Sequence, residues 1–228
     1  MHGAVDLSEN ELLLETELPE ELRGFVRIAL AHDTVEGFID ATDGWPVLYR
    51  GHFGNEIEDN SFFTDYVGHA RSYIDETGRI DAYAFDPRDA LMFDDIRFDE
   101  MRFAYMRLDA RELEETYRAA LAGNRFMPDL MNRETLDVLY EILQGDTPYS
   151  DMSADPGRND ILIPLMQHYA REVKGRNVIA FVGGDFGDFG GQNEFVVGRV
   201  AELTDLRRLY GQVRAKMIEH RPSHPQFV

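Results

Sequence analysis

Asn177–Val200, NVIAFVGGDFGDFGGQNEFVVGRV, is the stretch on which the reading of the fold turns. Two apolar runs, Val178–Val182 and Phe195–Val200, flank the glycines Gly183, Gly184, Gly187, Gly190 and Gly191. Each run has the length and β-branched content of a strand, and glycine supplies the positive-φ positions where a chain reverses. The pattern predicts a β-hairpin in the middle of a sheet, with a glycine-articulated acidic tip.

A central hairpin needs partner strands, and those lie before it. Arg79–Phe85 alternates apolar and polar residues and is stopped by Asp86-Pro87. Met101–Leu108, rich in aromatics and arginine, reads as a second strand. Trp45–Tyr49 reads as a short strand that Pro46 places at an edge or a beginning. Between them run helical patterns. One starts at Pro19 with Leu22, Phe25, Val26, Ala29 and Leu30 on one stripe. A second is capped by Asn60 and carries Phe62, Phe63, Tyr66, Val67, Ala70 and Ile74. Asp109 with Glu112 makes a capping box, and Asn132 caps the next stripe, Leu136, Leu139, Tyr140 and Leu143. Ile161–Lys174 is helical with Pro164 in its first turn, Gly175 ends it, and Thr204 caps the last helix. Helices and strands without strict βαβ alternation predict an α+β fold, a mainly antiparallel sheet packed by five or more helices. The chain, 1–228, is expected to form a single domain, with the polar, turn-rich stretch 146–160 as a candidate mobile loop.

Hydrophobic content of 43% with 11% aromatics is that of an ordinary folded protein. No apolar run approaches the roughly 18 residues of a membrane span, and the N-terminus lacks the basic-then-apolar pattern of a secretion signal. The expectation is a cytoplasmic or virion protein without membrane partners. With no cysteine there is no thiolate metal site and no cysteine nucleophile. Charge is more informative: 43 acidic against 23 basic residues gives −20, and all but Lys174 and Lys216 of the basic residues are arginines. Such a surface repels phosphate backbones, which argues against general nucleic-acid binding. Acid excess with almost no lysine suits a halophilic protein; a GC-rich genome explains the arginine preference but not the net charge.

The hairpin tip contains Asp-Phe-Gly twice, but no other part of a kinase signature accompanies it. Asp185, Asp188 and Glu194 offer hard oxygens to a divalent cation, although their spacing is not that of a calcium loop. Of seven histidines only His220 and His224 stand four apart, with the helix-breaking Pro222 between them, and only His52 sits in a glycine-flanked loop with a nearby carboxylate, Glu56. Asp94, Asp95, Asp99 and Glu100 read as a solvated acidic face. Phe53, Phe62, Phe63, Phe93, Phe98, Phe186 and Phe189 fall beside loops or charge clusters, where arginine and aromatic residues together mark protein interfaces.

Two functions follow. The preferred one is a non-enzymatic assembly or interaction protein, a homo- or hetero-oligomeric subunit of a larger complex or particle such as a virion, without a cofactor. In it Phe186 and Phe189 anchor in a partner and Asp185 and Asp188 meet its arginines. The alternative is a metal-dependent hydrolase, with a divalent cation on Asp185, Asp188 and Glu194 and His52 as base.

The charge generates a first test. Halophilic adaptation predicts a thermal midpoint that rises continuously from low salt to molar KCl. A midpoint flat beyond about 0.3 M, where ordinary screening is nearly complete, leaves codon bias as the explanation.

Overall fold

The hairpin pairs as its sequence predicts: Val178–Phe181 and Glu194–Val197 run antiparallel, from Val178↔Val197 to Phe181↔Glu194. A computed structural model describes residues 19–54, 57, 59–122, 130–149, 156–181 and 194–219. In chain order its strands are β1 (Val47–His52), β2 (Ser61–Thr64), β3 (Arg79–Ala84), β4 (Ala90–Phe93), β5 (Val178–Phe181), β6 (Glu194–Val197) and β7 (Thr204–Asp205). They form one sheet in the order β4-β5-β6-β2-β1-β3-β7, antiparallel throughout except for β4 beside β5. The helices are α1 (Arg23–Ala31), α2 (Val35–Ala41), α3 (Val67–Ser72), α4 (Asp95–Tyr105), α5 (Ala110–Leu121), α6 (Arg133–Gln144), α7 (Pro156–His168) and α8 (Leu206–Glu219). The fold is α+β.

Strand register shows how the layers form, because paired residues share a face. Tyr49, Thr64, Val196, Ile179, Ala82 and Ile80 lie on one face. At the β1–β3 end that face packs on α1, α2 and α8 through Phe25, Val26, Phe38, Leu206 and Leu209. At the β4–β5–β6 end it packs on α4 to α7 through Phe98, Met101, Leu139, Leu162 and Met166. The opposite face carries Leu48, Phe63, Tyr83, Val178, Ala180, Phe195 and Val197, all buried. Among the described residues no α-helix joins that cluster. The sheet curls to cover it: Phe63 on β2 meets Tyr83 on β3 at 5.7 Å, and Phe85, just past β3, reaches Phe195 on β6 at 5.6 Å. β6 and β3 are separated by two strands, so that contact requires a strongly coiled sheet.

Several local expectations give way to tertiary packing. Met101–Leu108 is not a strand; most of it is the C-terminal half of α4, which Asp94 caps by accepting from the Arg97 N–H at 2.8 Å. The strand propensity of its aromatics is overridden because Phe98, Met101 and Tyr105 recur at helical spacing and fill one core. The predicted helix after Asn60 divides into β2 and the short α3. Asn60 takes a left-handed φ of 59° and delivers Ser61–Thr64 into register with β6. Trp45–Tyr49 is displaced to Val47–His52. Thr204 belongs to β7, and Asp205 instead accepts the Arg208 N–H at 3.1 Å at the start of α8. α7 begins at Pro156, so Pro164 lies inside it, where its ring can make no backbone donation; one turn back, the Tyr117 hydroxyl donates to the Ile161 carbonyl at 2.8 Å. After His168 the helix widens into a π turn, Tyr169–Val173, ended by Gly175 at φ +64°. The capping box of α5 and the Asn132 cap of α6 are present as read. In the stretch 146–160, Tyr149 is buried against Phe93 and Phe98.

α3 lies close enough on β1 that Gly51 has no room for a side chain. A Cβ there would sit 2.1 Å from the Ala70 carbonyl oxygen. Gly51→Ala is expected to cost about 2–3 kcal/mol or more in urea unfolding, as overpacking against backbone cannot relax. The control is Gly211→Ala on α8, where nothing lies within 4 Å and a gain of about 0.5–1 kcal/mol is expected. Equal effects at the two positions would mean that α3 does not press on β1.

Candidate functional site

His52 ends β1 rather than sitting in a loop, and its carboxylate partner among the described residues is Asp81; Glu56 lies outside them. Register explains the pairing. Arg50↔Asp81 and His52↔Arg79 are cross-strand neighbours, which sets all four side chains on the concave face of the sheet. His52 Nε2 is 3.0 Å from Asp81 Oδ2, and the two side chains are only 10% and 8% exposed. Beside Asp81 Oδ2, the same Nε2 accepts from Arg79 Nε at 3.3 Å. Arg79 Nη2 donates to the same oxygen at 3.0 Å. From the first turn of α8, Arg207 Nε donates to the Ile80 carbonyl at 2.8 Å and lies 3.0 Å from Asp81 Oδ1. Because its N–H is aimed at the carbonyl, the contact with Oδ1 is ionic without being a hydrogen bond.

Arg50 stands directly across from Asp81 yet turns away from it, donating from Nη1 to the Phe62 carbonyl at 2.5 Å. β1 and β2 are bridged at Tyr49↔Thr64, and beyond that pair the guanidinium serves an oxygen on β2 that a strand partner would otherwise take. Burial holds the Arg50 guanidinium below the usual arginine range.

A cleft of about 200 Å³ opens beside this network. Its floor is Ile39, Ile74 and Ile80, and its rim is Arg71, Arg79 and Arg207 with Glu36 and Asp40. Arg71 pairs with Asp40, and Arg207 Nη1 lies 3.3 Å from Glu36.

A histidine oriented by a carboxylate is half of a hydrolytic set. Among the described residues the other half does not assemble on it: Ser61 Oγ, buried on the concave face, has no hydrogen-bond partner, and no three His, Asp or Glu side chains form a metal-holding group. Glu194 is half-buried, and burial pushes its carboxyl up. It lies on the helix-covered face, level with Thr64 and Tyr49, whereas His52 is three residues further along β1 and on the concave face. The two are thus separated by roughly 10 Å along the strands as well as by the sheet itself. Asp185, Asp188, Phe186 and Phe189 lie outside the described residues.

The remaining candidates have structural roles. Asp94 caps α4, Asp99 pairs with Arg102 at 2.6 Å, and Glu100 receives Arg97 at 2.6 Å and Lys174 at 2.8 Å. His69 is buried on α3, with Nε2 3.1 Å from the Tyr73 hydroxyl. His168 Nδ1 meets the Tyr105 hydroxyl at 2.8 Å, and burial pushes the imidazole below its usual range.

Of the aromatics expected at the surface, Phe53 is exposed, Phe62 is half-buried, and Phe63, Phe93 and Phe98 are in the core. Among the exposed apolar side chains that sequence reasoning missed, the two most exposed are on α4, Ile96 at 67% and Phe103 at 61%, followed by Met106, with the Arg107 guanidinium 4.8 Å from the Phe103 ring centre; Tyr73, Val173, Tyr140, Tyr66 and Met92 are exposed elsewhere. A strand reading of Met101–Leu108 hid the seven-residue spacing of Ile96 and Phe103. Comparison with known proteins gave no match: no family model fits the chain, and neither a curated protein nor a solved structure is detectably similar to it.

Proposed function

We propose that the protein is a non-enzymatic subunit of a larger protein assembly and that it docks through α4. What carries the reading is that α4 is apolar on two opposite sides. Phe98, Met101 and Tyr105 are buried in the core, while Ile96 and Phe103 project from the far side. At roughly 100° per residue, Ile96, Phe103 and Arg107 fall within one narrow stripe about half a turn from the buried one. A helix apolar on both sides is suited to lie between two layers, and this chain supplies one of them. An exposed phenylalanine with a stacked arginine is the pairing that interface centres concentrate. The net charge of −20 bears on the partner: two copies repel each other at low salt, so a differently charged subunit is favoured.

The test is site-specific photo-crosslinking from Ile96 and Phe103 in the source cells, with Glu114 on α5 as control, followed by reconstitution with the purified partner. The expected result is one defined protein captured from α4 but not from the control. Ile96→Ser and Phe103→Ser should each weaken reconstituted binding at least about tenfold, because truncating a hot-spot residue costs about 2 kcal/mol. Capture independent of position, or affinity unchanged by both substitutions in folded protein, would refute docking through α4.

A further inference from the structure

The cleft beside β3 supports an inference independent of assembly. We propose that it binds a short-chain aliphatic carboxylate, with the anionic head among Arg71, Arg79 and Arg207 and the tail on Ile39, Ile74 and Ile80. The volume, about 200 Å³, lies below that of sites for drug-sized ligands, so the occupant is small. A planar guanidinium fork matches a carboxylate in two-point geometry, and an isoleucine floor gives an alkyl chain somewhere to leave water.

The site is prepared from behind. Asp81, buried and held by His52, fixes Arg79 and Arg207, so ordering these long side chains is largely complete before a ligand arrives. From the front, the rim arginines meet carboxylates of the chain itself, Asp40 on Arg71 and Glu36 on Arg207. Those two are exposed, at 48% and 68%, and pairs this wet contribute little. They mark where a carboxylate is welcome and are readily displaced by one.

Calorimetric titration of the full chain with hexanoate, acetate, inorganic phosphate and hexanamide, at matched ionic strength, tests the proposal. It is read together with the methyl NMR signals of Ile39, Ile74 and Ile80. Hexanoate is expected to bind saturably within about 10 mM, at least tenfold tighter than the other three, and to shift those methyl signals. Arg71→Glu, a change on an exposed side chain, should weaken hexanoate at least tenfold. The double variant Glu36→Gln with Asp40→Asn should strengthen it by removing the competing carboxylates. The proposal is overturned if hexanoate does not saturate, or if phosphate or hexanamide matches it. It also fails if Arg71→Glu and the double variant, both folded by circular dichroism, bind hexanoate as the wild type does.

Discussion

Asp81 is a carboxylate withdrawn from water, and the ground it holds is shared by three parts of the chain. Burying an unpaired charge is strongly unfavourable, and Asp81 is met by His52 from β1, Arg79 from β3 and Arg207 from α8. The geometry that brings Arg207 there is set by β7. Its pairing with Tyr83 and Ala84 ends at Asp205, and two residues later the first turn of α8 can reach back to Ile80 and Asp81. The rest of α8 then meets the start of the chain, where the Tyr210 hydroxyl donates to the His32 carbonyl and Arg214 reaches Asp33. The carboxylate thus fixes how the C-terminal helix closes over the N-terminal ones.

The same constraint accounts for the placement of the cleft and for the one-sidedness of the sheet. Helices gather on a single face in two groups, one at each end of the strand order. The other face has to bury itself, which it does by curling until aromatic rings from non-adjacent strands touch. Charged residues at the far end of β1 and β3 cannot enter that aromatic interior, so they collect where the guanidinium groups of Arg79 and Arg207 and the His52 imidazole meet the Asp81 carboxylate. α4 lies at the opposite end of the strand order, just after β4. Its buried stripe completes one core and leaves Ile96 and Phe103 facing outward.

What sequence could reveal depended on how local the determinant was. The β5–β6 hairpin, the capping box at Asp109 and the Asn132 cap are decided by neighbouring residues and were legible. Helix and strand exchanged identities where packing decided the outcome. Phe62 and Phe63 satisfy helical and strand patterns equally over a short run, and only pairing with β6 selects the strand. For Met101–Leu108, aromatic content suggested a strand, whereas the cap at Asp94 and the spacing of Phe98, Met101 and Tyr105 were the stronger signals. The candidate site was legible to the extent of His52. Its partner Asp81 is joined by strand register and Arg207 by tertiary packing, and neither relation leaves a trace in sequence spacing. The alternation in Arg79-Ile-Asp-Ala-Tyr-Ala84 did announce that Arg79 and Asp81 share a face, and that face was the useful clue.

The account rests on Asp81 and Arg207 acting as one unit between β3 and α8. The direct measurement is a double-mutant cycle in urea unfolding with Asp81→Asn, Arg207→Gln and the pair together. A shared buried interaction predicts non-additive losses with a coupling energy of about 1–3 kcal/mol, whereas additivity to within about 0.5 kcal/mol would show that the two residues stabilise the fold independently.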